Sequence, residues 1–350
     1  MKIEATPFLQ TLHLTLKSGK NLSEGLKLME GFGSDTDEHR VYSAIRQDLQ
    51  RGIPFSEAFG THVSAPRDIV QFIGMAEKGA AFGTMLARVL HYLEMKEKFY
   101  RESNDKIALP ILYFMLSTLI VLFVRFYAIP DHIHESLQYD PAIQKLIADH
   151  LSIAQTMGDA LFGLLLMSGS YFLIVMVALF SQKEVIQGIA KPVALILPVS
   201  SKLLRHFEKF LLLTLLGEML QNGISFKRAI ESAQISTDVT EFKEGFEEML
   251  QRVTRGEHDR WKISFFEELE QRLLMGAGSM KQAGAVMVQL AEHARLNALM
   301  LGSRFFRLIS VISILLMALA VFVEFFTVVL TQVLIQKGMI SAVDGVQGAF

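Results

Sequence analysis

Two charged residues fall inside long apolar segments of the chain, where an unpaired charge is costly. Arg125 is the one charged residue of segment 107–129, and Glu324 is the one charged residue of segment 308–335. A charge in the bilayer core costs at least about 2.5 kcal/mol, which pairing with an opposite charge offsets. Arg125 lies 18 residues past Ile107 and Glu324 lies 16 residues past Leu308, so at about 1.5 Å per residue the two lie at similar depth. We therefore predict an ion pair between Arg125 and Glu324, within one protomer or between protomers.

Alternative partners exist for both charges. Asp159, which directly precedes another apolar segment at 160–180, competes with Glu324 as the partner of Arg125. Arg125 also has a stem long enough to carry its guanidinium to the headgroups, which would leave Glu324 protonated or paired elsewhere. Charge reversal at both positions of a true pair should restore the stability that each single reversal removes.

Two histidines follow the first apolar segment, in the sequence Asp131-His132-Ile133-His134-Glu135. These side chains are chemically able to hold a metal ion. Residues two apart on a helix point to different faces, however, and the sequence offers no further ligand set. We favour a solvated interfacial loop here and predict no metal site and no cofactor.

The sequence carries no recognisable catalytic motif. It has no cysteine, which excludes disulfides, thiolate zinc sites and a cysteine nucleophile. P-loop, HExxH and GxSxG patterns are absent. The net charge of −2 gives no electrostatic case for nucleic-acid binding. We expect a protein that is not an enzyme.

The apolar residues, 51% of the 350, are concentrated in three segments. Segments 107–129, 160–180 and 308–335 each have the roughly 20 apolar residues that a helix needs to cross a bilayer. A fourth apolar stretch, 193–199, is short and lies between Pro192 and Pro198. It predicts an interfacial or buried turn and not a span.

The distribution of cations predicts the orientation of the spans. Residues 1–106 carry 14 Lys and Arg and residues 182–307 carry 17, whereas 130–158 and 336–350 carry one each. Cations are retained on the cytoplasmic side of a membrane. We expect a multi-pass protein with a cytoplasmic N-terminus and a periplasmic C-terminus.

The two cation-rich regions contain an internal repeat with an offset of 204 residues. Leu9, Leu12, Leu16, Gly19, Leu22 and Leu26 correspond in this way to Leu213, Leu216, Leu220, Gly223, Phe226 and Ile230. The same offset relates Gly52 to Gly256. Each glycine follows an apolar helical stripe, where the chain enters the left-handed conformation that glycine adopts at lowest cost.

Strand patterns are weak throughout, so the sequence predicts an all-α integral membrane protein. It would have three transmembrane helices and two homologous cytoplasmic antiparallel helix-bundle domains. The expected boundaries are cytoplasmic domains at 1–106 and 182–307, spans at 107–129, 160–181 and 308–335, a short periplasmic loop at 130–159 and a periplasmic tail at 336–350.

Two further segments complete a resemblance to a known family. Residues 52–58 read GIPFSEA, and residues 74–79 read GMAEKG and contain Glu77 and Gly79. With the duplicated domains, the three spans and Leu197-Pro198 before the second domain, the chain resembles the inner-membrane platform proteins of type IV pilus and type II secretion systems. The second domain departs from this pattern because it lacks the SEA segment. The short chain is more similar to the type IVb pilus branch.

The resemblance implies a scaffold in the bacterial inner membrane. Its implied partners are a hexameric assembly ATPase, pilin or pseudopilin subunits, other inner-membrane assembly proteins and further copies of the chain. The scaffold would couple the ATPase to pilin extraction and polymerisation. For Glu77, the resemblance implies a role in shaping the domain for the docking of a partner. Without the resemblance, Glu77 is interpreted as a surface carboxylate at a helix end. A small transporter or channel component and a membrane-tethered signalling protein remain the alternative functions.

Overall fold

The computed structural model describes residues 3–31, 37–77, 82–138, 141–181, 184–237, 239–257 and 261–347. These residues are mostly helical. The helices are α1 Ala5–Lys17, α2 Leu22–Gly31, α3 Asp37–Gln50, α4 Phe55–His62, α5 Arg67–Glu77, α6 Phe82–Phe123, α7 Ile129–Ser136, α8 Pro141–Phe180, α9 Glu184–Ile196, α10 Pro198–Gln221, α11 Phe226–Ser236, α12 Thr240–Thr254, α13 Glu268–Met275 and α14 Met280–Gln347. A π-helical turn, Val124–Ala128, joins α6 to α7.

The chain forms two compact units. Unit 1 comprises Met1–Arg101 and Gln182–Met300, and unit 2 comprises Glu102–Ser181 and Leu301–Phe350. Both copies of the internal repeat therefore belong to one unit, although the sequence predicts two separate domains. The three apolar segments belong to unit 2.

In unit 1, the first repeat packs around an aromatic cluster. The ring centroid of Phe8 in α1 lies 5.5 Å from that of Phe59 and 6.3 Å from that of Phe55, both in α4. All three side chains are buried, as is Leu12, one helical turn after Phe8. Burying each side chain of this size contributes about 1.5–3 kcal/mol. The cluster fixes the start of α4 against α1.

In the second repeat, two helices approach with their backbones in contact. A Cβ atom at Gly217 of α10 would lie 2.8 Å from the carbonyl oxygen of Gly284 in α14. A Cβ atom at Gly284 would lie equally close to the carbonyl oxygen of Gly217. Since real Cβ atoms do not come this close to a carbonyl, only glycine allows the approach at both positions.

The glycines of the repeat adopt the left-handed conformation that the sequence predicts. Their φ angles are +86° at Gly19, +82° at Gly52, +78° at Gly223 and +71° at Gly256. At Gly52, the N–H of Ile53 donates to the carbonyl of Asp48 and the N–H of Gly52 donates to that of Leu49. This is the Schellman arrangement, which satisfies the last carbonyls of a helix.

A short pair of strands departs from the predicted all-α class. β1 (Ile3–Glu4) and β2 (Val63–Ser64) pair in parallel, with Ile3 opposite Val63 and Glu4 opposite Ser64. Two residues are too few to produce the alternation by which a strand is recognised in sequence. The pairing ties the start of α1 to the end of α4.

Unit 2 contains the apolar parts of the three helices that are long and apolar enough to cross a membrane: Phe82–Ser136, Ile147–Phe180 and Met280–Lys337. These apolar parts pack around one buried cluster. Its members are Val121, Val124, Ile129, Leu161, Leu165, Leu316, Ala320 and Val323. Gly169 allows a close approach, because a Cβ atom there would lie 2.8 Å from the ring of Phe114. Small residues serve this purpose in membrane helix pairs.

Helical structure extends into the segments predicted as a loop, a tail and a turn. The expected loop 130–159 is formed mainly by α7 and the start of α8, and the expected tail 336–350 continues α14 to Gln347. The stretch 193–199 belongs to α9 and α10, with a break at Leu197. A helix satisfies its own backbone hydrogen bonds, so it continues beyond the apolar residues that define a span.

Candidate functional site

The carboxylate of Glu77, at the end of α5, caps the first turn of α4. Its Oε1 accepts a hydrogen bond from the N–H of Phe55 at 2.5 Å, and its Oε2 accepts from the N–H and the hydroxyl of Ser56 at 3.1 and 3.0 Å. The first amides of a helix lack intrahelical partners and favour a negative charge. Pro54, the N-cap residue, provides no side-chain cap. Glu77 supplies one from elsewhere in the fold.

This cap joins the two segments that carry the family resemblance, 52–58 and 74–79. Gly74 adds to the contact, because a Cβ atom there would lie 3.3 Å from the Cβ of Ser56. Glu77 is therefore a half-buried structural carboxylate and more than a surface residue at a helix end. Its role in docking a partner stays a prediction. Gly79 lies outside the described residues.

A buried carboxylate connects the two repeats within unit 1. Glu218 of α10 has a side chain only 1% exposed, and its Oε2 lies 3.1 Å from Arg88 Nη1. Its Oε1 lies 2.7 Å from Nδ1 of His91, and both partners belong to α6. A buried carboxylate needs such partners because its charge has lost its water. The pairs therefore fix α6 of the first repeat against α10 of the second.

A second buried pair lies inside the second repeat. Lys209 Nζ of α10 lies 2.5 Å from Glu270 Oε2 of α13, and each side chain is 9% exposed. Glu270 Oε2 also accepts a hydrogen bond from the N–H of Glu267 at 2.8 Å. This contact completes a capping box at the start of α13. One carboxylate thus serves both the tertiary pair and the local cap.

His206 of α10 lies in the same electrostatic environment. Burial lowers the pKa of His206 below its ordinary value, and the positive charges of Lys209 and His293 lower this pKa further. Glu267 and Glu270 oppose this shift. Because the folded protein binds this proton less readily than the unfolded chain, His206 reduces stability as the pH falls through its ordinary pKa, about 6.5.

We therefore expect His206→Gln to flatten the acid side of the stability profile. Between pH 7.5 and 5.5 the thermal midpoint of the detergent-solubilised protein should fall less for His206→Gln than for the wild type. The exposed His134→Gln serves as the matched control and should follow the wild type. Parallel profiles for His206→Gln and the wild type would contradict the assignment.

In unit 2, the charges of the apolar segments pair differently from the primary prediction. Arg125, in the π-helical turn, forms an ion pair with Asp159. Glu324 Oε1 instead lies 3.2 Å from Nε2 of His132 in α7. The Arg125–Glu324 pair within one chain is therefore wrong, and the alternative partner Asp159 is confirmed. Counting residues along each span estimates depth, but it does not show which helix faces which.

This arrangement predicts a charge-reversal result at Arg125 and Asp159. Arg125→Asp should lower stability by about 1–3 kcal/mol, because it removes the cation that pairs with Asp159 and brings two carboxylates together. Adding Asp159→Arg should recover most of that loss, measured as the thermal midpoint in detergent. The combination of Arg125→Asp with Glu324→Arg is the control and should not recover it. Equal recovery by both double variants would argue against the Arg125–Asp159 pair.

Metal binding gains no support from the described residues. His132 is engaged with Glu324, and its Nδ1 lies 3.8 Å from Glu135. In the ranges that the structure describes, no three His, Asp or Glu side chains are grouped to hold a metal ion.

Sequence reasoning did not single out Glu218, Lys209 or Glu270, and it considered His132 only as a possible metal ligand. One signal was available for Glu218, which interrupts the apolar run of α10 in the sequence LLGEML. A charge within a buried apolar stripe indicates a paired group. No comparable pattern marks Lys209 and Glu270, since 61 residues separate them.

Two related helical regions attached to three membrane-length apolar helices define a membrane scaffold built on a duplicated domain. Comparison with protein-family models agrees with this class. The model of type II secretion system protein F matches residues 8–130 and 212–331, and the chain belongs to this family. The starts of the two matches differ by 212 − 8 = 204 residues, the offset of the repeat. A comparison with curated protein sequences finds no match.

Family membership and the three apolar helices establish an inner-membrane protein of the machinery for type II secretion or type IV pilus assembly. The internal repeat is confirmed, because one family model matches the chain twice.

Proposed function

We propose that this chain is a non-enzymatic platform in the inner membrane that couples a hexameric cytoplasmic ATPase to the extraction and polymerisation of pilin or pseudopilin subunits. The observation that carries the proposal is the double family match at residues 8–130 and 212–331 beside three apolar helices. The polar side chains analysed above cap helices and pair charges, which are structural roles and suit a scaffold.

In this proposal the two repeats are homologous helix-bundle domains in the cytoplasm, with boundaries at 1–106 and 182–307. Cations support the orientation, since 14 + 17 = 31 of the 34 Lys and Arg lie in these regions. The N-terminus is then cytoplasmic and the C-terminus periplasmic. The ion pair between the buried Glu218 and Arg88 suits a role in transmitting force, because it joins the two repeats within unit 1.

Cysteine labelling tests the orientation, and the chain has no native cysteine to interfere. Lys20→Cys and Glu135→Cys place single thiols at exposed positions of unit 1 and unit 2. In intact cells whose outer membrane is permeabilised, an impermeant maleimide should label Glu135→Cys and spare Lys20→Cys. The opposite pattern would reverse the proposed topology.

Site-specific photocrosslinking tests the partners. A photoreactive side chain at the exposed position Glu57 of α4 should capture the assembly ATPase, and one at Leu173 on the lipid-facing side of α8 should capture a pilin. The same group at Glu135 is the control and should not capture the ATPase. Failure to capture either protein from any position, with fibre assembly or secretion unaffected by deletion of the chain, would refute the platform function.

Self-association is part of the proposal because of Glu324. Its Oε2 is buried and accepts no hydrogen bond from the residues that the structure describes. The side chain as a whole is still 28% exposed, and a charge that faces lipid is costly. A second protomer at this surface of the spans would shield it.

A further inference from the structure

The second half of helix α9, residues 189–196, presents an apolar face outside the apolar spans. Over residues 189–196 the exposed positions are Ile189, Pro192, Val193 and Ile196, all of them apolar. Ile189 is 70% exposed and Ile196 is 80% exposed, the highest values among the large apolar side chains in the described ranges. At 3.6 residues per turn these positions lie on one side of the helix.

The opposite face of α9 is anchored within unit 1. Ala190 and Ala194 are buried, and α9 packs along α10. Lys191 Nζ lies 2.5 Å from Glu208 Oε1, with side chains 12% and 4% exposed. Ser200 Oγ donates a hydrogen bond to the carbonyl of Ala194 at 2.6 Å. The rotation of α9 about its axis is therefore fixed, and the fold itself turns the apolar face outward.

The connection between α8 and α9 is short enough to place α9 at a membrane surface. The second apolar segment ends at Phe180, the last residue of α8, and α9 begins at Glu184. Four residues span at most about 14 Å when fully extended. The headgroup region of a bilayer is itself about 5–8 Å deep on each side. The first turn of α9 is therefore within reach of the leaflet surface at which α8 ends.

We propose that α9 is an interfacial helix that inserts Ile189, Val193 and Ile196 into the boundary between headgroups and acyl chains of that leaflet. The face has the character of the lipid-facing spans: Leu173 of α8 is 64% exposed, less than either isoleucine. Burial of such a face in the interface removes apolar area from water. Lipid is favoured over a protein partner because the helix follows a membrane span in the chain. The proposal does not depend on the ATPase or pilin partners.

Lipid-borne quenchers test the proposal on the full-length protein in vesicles of phosphatidylcholine and phosphatidylglycerol. Single cysteines at Ile189 and Ile196 would carry an environment-sensitive fluorophore. Leu269→Cys on α13, where the native side chain is 68% exposed, is the matched control in unit 1, and Leu173→Cys is the lipid-facing reference. Brominated acyl chains should quench the probes at 189 and 196 by about twofold or more, as at 173, and leave 269 unquenched. Aqueous iodide should give the reverse order.

Two results would overturn the proposal. Quenching of 189 and 196 by iodide and not by lipid, as at 269, would show a face open to water. Protection from both quenchers would show a face covered by protein, either a second copy or another partner. All the substituted positions are exposed, so none of the variants removes a core side chain.

Discussion

Replacing Lys209 with methionine is expected to destabilise unit 1 by about 3–5 kcal/mol, because the substitution leaves the carboxylate of Glu270 buried without its cation. Both side chains are 9% exposed, so water does not replace the lost partner. Methionine keeps the length and apolar contacts of the lysine stem, which limits the change to the charge. The measurement is the thermal or denaturant midpoint of the detergent-solubilised protein.

Helix α13, which carries Glu270, also offers a matched control. Arg272 Nη2 lies 2.5 Å from Glu268 Oε1, the same separation as in the buried pair, but these side chains are 74% and 79% exposed. Arg272→Met should therefore cost less than about 1 kcal/mol. The double variant Lys209→Met with Glu270→Gln should recover much of the loss, since glutamine is neutral and still suits the capping box. Equal effects of the buried and exposed substitutions would show that burial does not govern the pair.

Replacing Glu77 with alanine is expected to cost about 2–3 kcal/mol and to loosen the start of α4. The substitution removes the acceptor of the Phe55 and Ser56 amides, and hydrogen bonds to charged groups contribute about 1.5–3 kcal/mol. Hydrogen exchange followed by mass spectrometry should show faster exchange in residues 55–62. Because the cap is local, exchange in α11 and α12 should stay unchanged.

Glu57→Ala is the control for this experiment, because Glu57 is an exposed carboxylate in the first turn of the same helix. It should lose only the favourable interaction with the helix dipole, about 0.3–1 kcal/mol. Glu77→Gln should fall between the two, since it keeps an acceptor and loses the charge. Unchanged exchange in α4 of Glu77→Ala would refute the capping role.

The buried pairs also bear on the proposed function. A platform that transmits movement between a cytoplasmic engine and the membrane needs rigid cytoplasmic parts. Glu218 of α10, in the second repeat, pairs with Arg88 and His91 of α6, in the first. Loss of these contacts would loosen α6 from α10 within unit 1.

Features that depend on local backbone sterics were readable from the sequence. Gly52 and Gly256 have left-handed φ angles because a helix that ends in a Schellman turn needs a residue without a Cβ atom. The three spans were readable as well, since the thickness of the bilayer sets their length. The 204-residue offset needed only comparison of the chain with itself.

Pairings between distant side chains were decided only by the tertiary structure. Nothing in the sequence distance between Lys209 and Glu270, or between Glu77 and Ser56, indicates that they meet. Arg125 shows the reason most clearly: residue counting gave it a depth similar to that of Glu324, yet it pairs with Asp159. Depth along a helix follows from its rise per residue, whereas the neighbour at that depth depends on helix rotation and packing, which arise from all side chains of the interface together.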